Sequence, residues 1–442
     1  VSTVILLYTR DLRVHDHPAL HEAVRRGDRV VPLFVLDPEI LSRSARNRIH
    51  YLRDALADLR AALRTRGGDL VLRTGDTVTE TLRTAERTGA GAVFLTRDVS
   101  AAAQRRHRRL VDEGGRARVD VREFPGVCVV PPLDLTPAGG DHYKVFTPFW
   151  RAWERREWRA AVPTPRRVPG PGDIPVGRLP GASLLGQGRG ELSPDVQHGG
   201  ETAARKRMKA WLAGPIGDYE ERHDALAAAA TSRLGADLRF GCVSPLELAR
   251  AARDHPKGAA FVRQLAWRDF HHQVTAAFPE IARRDYRPRS TRWRTDRDGF
   301  DAWREGRTGV PIIDAGMRQL RHEGFMHNRA RMLTAAFLTR ELRVHWVHGG
   351  DHFHALLADG DIANNYGNWQ WIAGTGNDTR PNRSFNLLRQ ARRFDPDGAY
   401  VRRYVPELAA LSGAEIHAPW RLDRPPGGYP PPITAAEGPS GG

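Results

Sequence analysis

Cysteine is nearly absent: the 442 residues include two, Cys128 and Cys242. They lie far apart with no CxxC spacing, which argues against a disulfide framework or a zinc site and predicts reduced thiols. Long apolar runs are missing too. No stretch approaches the ~20 residues that cross a bilayer, so a cytoplasmic protein without a membrane partner is expected. The apolar start Val1–Arg10 has no basic segment before it and is expected to be a first strand rather than a leader. Lysine is scarce, with four (Lys144, Lys206, Lys209, Lys257) among 68 basic residues. Arginine therefore carries the net charge of +16. Its planar fork grips phosphate and stacks on flat rings, so a polyanion, nucleic acid first, suits as partner. An arginine-, alanine- and glycine-rich composition also arises from a biased genome, and charge alone does not decide between the two. Internal repeats and coiled-coil runs are absent. Nothing points to a self-complementary interface, and a monomer is expected.

At this length one core is too few, and two domains are expected. Residues 1–130 alternate. Apolar β-rich runs at Val4–Tyr8, Val30–Leu36, Leu70–Arg73, Ala92–Thr96 and Val119–Phe124 are separated by helical stretches. One of these is Asn47–Thr65, with Leu52, Leu56, Leu59 and Leu63 on one face. The pattern predicts an α/β domain with a parallel, Rossmann-like sheet. No GxGxxG fingerprint follows the first strand, so that shape does not name a ligand. Residues 131–200 are rich in proline and glycine and read as an interdomain connection, opened by the aromatic segment Tyr143–Trp150. Residues 201–442 read as an all-α second domain.

The densest chemistry lies in Asp359–Trp371, with carboxylates at Asp359 and Asp361, amides at Asn364, Asn365 and Asn368, and indoles at Trp369 and Trp371. Further clusters are Gly309–Leu320, Met326–Met332, Gln264–Phe270 and Thr231–Leu234. Trp, Arg, Asn and Met interleaved on helices suit a flat, polar-edged, anionic ligand such as a flavin or an extruded nucleobase. Taken singly, each of these residues reads as well as core filler, a turn or a cap; as a set they do not.

Arg10-Asp-Leu-Arg-Val-His-Asp-His-Pro-Ala-Leu20 resembles the opening block of the photolyase/cryptochrome family. Tyr143–Trp150, Thr231–Leu234, Trp267–Phe270, Gly309–Leu320, Met326–Arg331 and Asp359–Trp371 are similar to its later blocks, in order. Within the family the chain most resembles class I cyclobutane pyrimidine dimer photolyases. The resemblance implies an N-terminal α/β antenna domain and an all-α, FAD-binding, DNA-binding catalytic domain. It implies light-dependent repair of UV-damaged DNA by electron transfer from photoexcited, reduced, anionic FAD to a flipped-out dimer. The alternatives are a (6-4) photolyase and a blue-light photoreceptor without repair. The short Pro/Gly-rich stretch after Pro425 leads us to expect repair rather than signalling.

By the same resemblance Tyr219, Thr231, Ser232, Arg233, Leu234 and Gly235 hold the FAD phosphates and ribityl chain. Asp359, Gly360 and Asp361 line the isoalloxazine edge, Asn365 faces flavin N5, and Arg331 pairs with Asp359. Trp369, Trp346 and Trp293 form an electron-transfer triad running to the surface. Gln264, Trp267, Arg268, Asn328, Arg329, Met332, Trp371 and Gln390 contact dimer or DNA, with Trp267 and Trp371 sandwiching the lesion. No metal is expected: ring opening needs none, and His345, His348, His352 and His354 are expected to be solvated or packed rather than to hold zinc. Gln264 stands where many dimer photolyases carry Glu and is shared with the (6-4) class, whereas His327-Asn328-Arg329 and Asn365 fit the cyclobutane class. His223 replaces a frequent Arg phosphate contact, with Arg222 beside it. Thr96–Gln104 lacks the Asn-Glu pair of a folate antenna, so 8-hydroxy-5-deazaflavin, or no antenna, is expected.

Overall fold

A computed structural model describes residues 2–228, 230–378 and 386–434. In chain order its elements begin β1 (Thr3–Tyr8), α1 (Pro18–Arg26), β2 (Arg29–Leu36), α2 (Pro38–Ser42), α3 (Arg46–Arg64) and β3 (Val71–Thr74). They continue with α4 (Thr77–Thr88), β4 (Ala92–Thr96), α5 (Ala101–Arg116), β5 (Asp120–Phe124) and α6 (Phe146–Arg155). Helices α7 (Glu201–Ala213), α8 (Tyr219–Arg222), α9 (Gly235–Phe240), α10 (Pro245–Arg253), α11 (Ala259–Ala277), α12 (Arg297–Glu305) and α13 (Pro311–Glu323) follow. The last are α14 (Asn328–Ala336), α15 (Trp346–Leu356), α16 (Ile362–Ala373), α17 (Leu387–Phe394) and α18 (Ala399–Tyr404). No strand follows Phe124 among the described residues, and no described helix is long and apolar enough to cross a membrane.

The chain forms two compact units. The first is Val1–Gly190, Gln197–Gly217 and Ser232–Glu280; the second is Glu191–Val196, Asp218–Thr231 and Ile281–Gly442. In the first, five parallel strands run in the order β3-β2-β1-β4-β5. Helices cover both faces of such a sheet, which is why its inner strands β1, β2 and β4 read as near-continuous apolar runs rather than alternating ones. Ile5, Leu7, Val31, Leu33, Val71, Val93 and Leu95 build its core with Val78 and Ala85 of α4 and Leu110 of α5. Capping fixes where helices start. Asp76 accepts from Thr79 N at α4, Ser100 from Ala103 N at α5 and Ser244 from Glu247 N at α10. The long connection holds α6 and one short turn, Ala182–Gln187.

The strand order reverses between β1 and β4, and the Arg10–Leu20 block spans that switch point. Arg10 pairs with Asp98 at 3.1 Å, and Asp11 takes Thr96 Oγ1 at 2.6 Å and His17 at 2.9 Å. Arg13 is fully enclosed, its guanidinium spent on the carbonyls of His15, Asp16, Gly126 and Gly241. His17 caps α1. The block locks the sheet to its surroundings inside the first unit.

Candidate functional site

The residues singled out in the sequence divide between the two units, and each group has its own geometry. In the second unit the period of α16 separates them. Asn365 and Trp369, four residues apart, share the face turned to α15. Asn364, Asn368 and Trp371 share another face, partly open to solvent. Asp361 starts the helix, its carboxylate accepting from Asn364 N at 2.9 Å.

Asn365 Nδ2 donates to the Gly350 carbonyl of α15 at 2.9 Å. A carbonyl accepts only, so the nitrogen of the amide must face it and Oδ1 must turn away. Asp359 lies just ahead of α16, and Arg331 of α14 bonds its Oδ2 at 2.8 Å while bonding Met326 O at 2.8 Å. Asp359 Oδ1 is enclosed and has no hydrogen-bond partner among the described residues. A buried, unpartnered carboxylate oxygen is costly, and it marks where a donor from a ligand fits.

Of the three indoles proposed as a triad, two are buried and Trp293 alone is part-exposed. Trp369 is 3% exposed and Trp346 fully buried; Trp293 is half-buried. Trp346 donates its indole N–H to Asp285 at 2.7 Å. His345 lies between the outer two, with ring centroids 5.0 Å from Trp293 and 5.5 Å from Trp346. Trp369 packs edge-on against Phe353 and Trp303. A Cβ at Gly349 would lie 2.2 Å from its Cη2, so only glycine lets α15 approach this ring. Of the histidines nearby, His345, His352 and His354 are part-buried and His348 is exposed. His352 abuts Trp303 and Phe300, and burial pushes it down to about 4; His345 caps α15.

Asn328 and Met332 meet on one face of α14, with Asn328 Nδ2 4.0 Å from the sulfur. Arg329 is held differently from its expected DNA contact. It forms a two-point ion pair with Asp224 and stacks on Phe394 at 4.4 Å, so its charge is already neutralised. His327 caps α14, and burial lowers it to about 4. Tyr219 is buried, and its phenol is raised by that burial. His223 turns Nδ1 to the Tyr219 carbonyl at 2.9 Å, while Arg222 is exposed beside Asp218. Trp371 is half-buried at the end of α16, Thr231 is half-buried, and Gln390 lies half-buried on α17 between exposed Arg389 and Arg393.

Ser232, Arg233, Leu234, Gly235, Gln264, Trp267 and Arg268 belong to the first unit. Arg233 holds φ +52°, a left-handed conformation that costs a non-glycine residue roughly 1–2 kcal/mol. Ser232 Oγ accepts from Leu234 N at 3.3 Å, while Leu234 is the N-cap of α9 and has no side-chain cap bond. The Ser232 hydroxyl thus supports the turn and does not cap the helix. Trp267 stacks flat on Phe146, centroids 3.6 Å apart and 7° between planes, so one indole face is already covered. Gln264, one turn earlier on α11, is exposed. Arg268 is turned inward, bonding the carbonyls of Val127 and Leu238, and holds α11 in place rather than facing a lesion.

Sequence reading missed Asp285, Asp224 and Gly349. Only Gly349 carried a signal: a Gly-Gly pair inside a helix is unfavourable unless something must come close.

A family model described as DNA photolyase matches residues 4–169, and one described as the FAD binding domain of DNA photolyase matches 261–438. A deoxyribodipyrimidine photo-lyase of Streptomyces griseus is 49% identical over 98% of this chain and 96% of its own length. A cryptochrome DASH of Gloeobacter violaceus is 34% identical over 95% of this chain and 89% of its own. The crystal structure of a bacterial class III photolyase from Agrobacterium tumefaciens superposes with a TM-score of 0.91 at 33% identity, covering 98% of this chain and 94% of that one. With the sheet, the helical second part and these matches in hand, the chain belongs to the DNA photolyase family.

Proposed function

We propose that this protein binds FAD and repairs cyclobutane pyrimidine dimers in UV-damaged DNA under light, acting as a cytoplasmic monomer. The carrying observation is the arrangement around Asp359, where an ion-paired carboxylate with one unpartnered oxygen adjoins the helix that bears Asn365, Trp369 and Trp371. FAD, when bound and reduced, supplies the photoexcited electron donor to the dimer. Asp359, Gly360 and Asp361 are proposed to line the ring, and Tyr219 with Thr231–Gly235 to hold the phosphates and ribityl chain. The Asn365 oxygen, turned away from Gly350, accepts and cannot donate, so it favours a protonated flavin N5. Arg331 brings a positive charge to the Asp359 side and supports an anionic reduced ring. Trp369, Trp346 and Trp293 are proposed to pass a hole outward, because indole is readily oxidised and the outermost of the three reaches solvent.

Trp371, Trp267, Met332 and Asn328 are proposed to receive the flipped dimer. Unstacking costs least for a lesion that is already poorly paired. Gln390, among exposed arginines, is proposed for the backbone. Functionally, 1–130 is assigned to an antenna, 131–200 to the connection, and 201–442 to FAD and DNA, a division by role rather than by compactness. The cleft beyond β4 and β5 has a volume of about 210 Å³. That is below the ~300 Å³ of ordinary ligand pockets, so it does not enclose a chromophore by itself. If an antenna binds, 8-hydroxy-5-deazaflavin suits better than folate, because Thr96–Gln104 lacks the Asn-Glu pair.

Gln264 favours a second reading, repair of (6-4) photoproducts, since an amide cannot supply a carboxylate's charge or proton. The deciding experiment is light-driven repair by purified, reduced protein, run on one oligonucleotide with a cyclobutane thymine dimer and one with a (6-4) photoproduct, with dark controls. Repair of the first alone supports the proposal. Repair of the second alone moves the assignment to the (6-4) class. A yellow protein that repairs neither is a photoreceptor.

A further inference from the structure

The first unit carries a His–Asp–His group outside the residues assigned to FAD or DNA above. His50 and Asp54 stand four residues apart on α3, so their side chains leave one face together. His198, in the segment ahead of α7, lies against that face. Its Nδ1 is 2.9 Å from Asp54 Oδ2, and its ring centroid is 5.3 Å from that of His50. His50 Nε2 is enclosed, lies 3.8 Å from Asp54 Oδ2, and has no hydrogen-bond partner among the described residues. At that distance it does not hydrogen-bond the carboxylate. One ligand atom from each of the three residues lies within 4.8 Å of the others.

The segment holding His198 is seated firmly. Gly199 N donates to Asp54 Oδ2 at 3.2 Å, and Thr202 N donates to Asp58 Oδ2 at 2.9 Å. A Cβ at Gly199 would lie 2.2 Å from the Tyr51 carbonyl, so the backbone rests directly on α3. The third ligand is therefore delivered by a fixed backbone.

We propose that His50, Asp54 and His198 bind one first-row divalent transition ion of the Zn²⁺ type, completed by water, which clips the segment ahead of α7 to α3. Two imidazoles and a carboxylate suit such an ion, whereas Ca²⁺ and Mg²⁺ take oxygen donors. Bonds of about 2.0–2.2 Å allow ligand atoms to sit up to ~4.4 Å apart. Closing from 4.8 Å needs a shift below 1 Å, which the His198 side chain, 78% exposed, supplies by rotating. The ion satisfies the stranded His50 nitrogen, which the ion pair by itself does not. The site is separate from the FAD and DNA roles proposed above.

The test uses tag-free, full-length, FAD-loaded protein, stripped with a chelator and titrated calorimetrically with Zn²⁺. Co²⁺ substitution, followed by its visible absorption, reports the ligand set. The expected result is one tightly bound ion, weakened on the order of 100-fold or more by His198→Ala and by Asp54→Asn, beyond the 10–100-fold typical of outer-shell changes. His198→Ala alters an exposed side chain and keeps the fold, as circular dichroism and the flavin spectrum will verify. Trypsin cleavage around Arg189 is expected to slow with Zn²⁺ in the parent protein and not in His198→Ala. No binding by the parent overturns the proposal. So does undiminished binding by His198→Ala, which would place the ion at other histidines such as His345 and His348.

Discussion

Replacing Gly349 by alanine sets two effects against each other. In an exposed helix the change adds roughly 1 kcal/mol of helix propensity. Here the new Cβ would lie 2.2 Å from Trp369 Cη2, 2.5 Å from its Cζ3 and 2.6 Å from Leu338 Cδ2. Two of those atoms belong to a rigid buried ring that itself abuts Phe353 and Trp303, so nothing nearby yields cheaply. Overpacking of this kind costs about 1–3 kcal/mol and sometimes more. The net expectation is a loss of up to about 2 kcal/mol, or roughly 4–8 °C in melting temperature for a body of this size. Because the displaced ring is Trp369, flavin photoreduction is also expected to slow. Gly115→Ala in α5 is the control. Nothing lies within 4 Å of its Cβ position, and stability there should rise slightly. The assays are thermal unfolding followed by tryptophan fluorescence, and the rate of flavin reduction under blue light with an external thiol. If Gly349→Ala melts with or above the parent and photoreduces at the same rate, the close approach of α15 to Trp369 is wrong.

Three further outcomes are expected. Trp293→Phe, at a half-buried position, should abolish photoreduction yet leave repair by chemically reduced protein nearly intact; lost repair in that assay would remove Trp293 from the triad. Trp267→Ala should weaken binding to dimer-containing DNA by about 1–3 kcal/mol, the usual worth of one stacked base, and equal affinities in a filter-binding titration would exclude the stack. Acid should destabilise the second unit through His327 and His352, each lowered by burial to about 4. Below pH 6.5 the unfolded chain binds their protons and the folded one does not, so stability falls as pH drops from 6.5 towards 4 and the effect levels off below that. His352→Leu should blunt that slope in unfolding measured between pH 7 and 4, and an unchanged slope would clear this histidine.

Much of the fold was legible because its signals are local. The strands lie within a residue of the runs read from apolar, β-branched segments, and the three inner strands β1, β2 and β4 bury both faces and carry no polar alternation to hide them. Helix α3 matches its leucine spacing, because burial selects one face of the helix. The site was legible only as composition. Asn365 and Arg331 stood out through their blocks, but nothing local indicated that Arg268 would turn inward to Val127, or that Arg329 would be neutralised by Asp224. Both are exposed-looking arginines on helices, and only the partner across the fold decides which of them faces solvent.

The sequence by itself determined the parallel α/β unit, the helical remainder, the arginine-borne charge and the family blocks, all of which rest on periodicity and short-range chemistry. Tertiary structure alone decided which atoms are spent and which are left over. It turned the Asn365 amide by setting Gly350 O against it, left one oxygen of Asp359 without a partner, and brought His198 to a helix face 144 residues away from its own place in the chain. Hydrogen-bond satisfaction is a property of crossing chains, and side-chain order along one chain does not encode it.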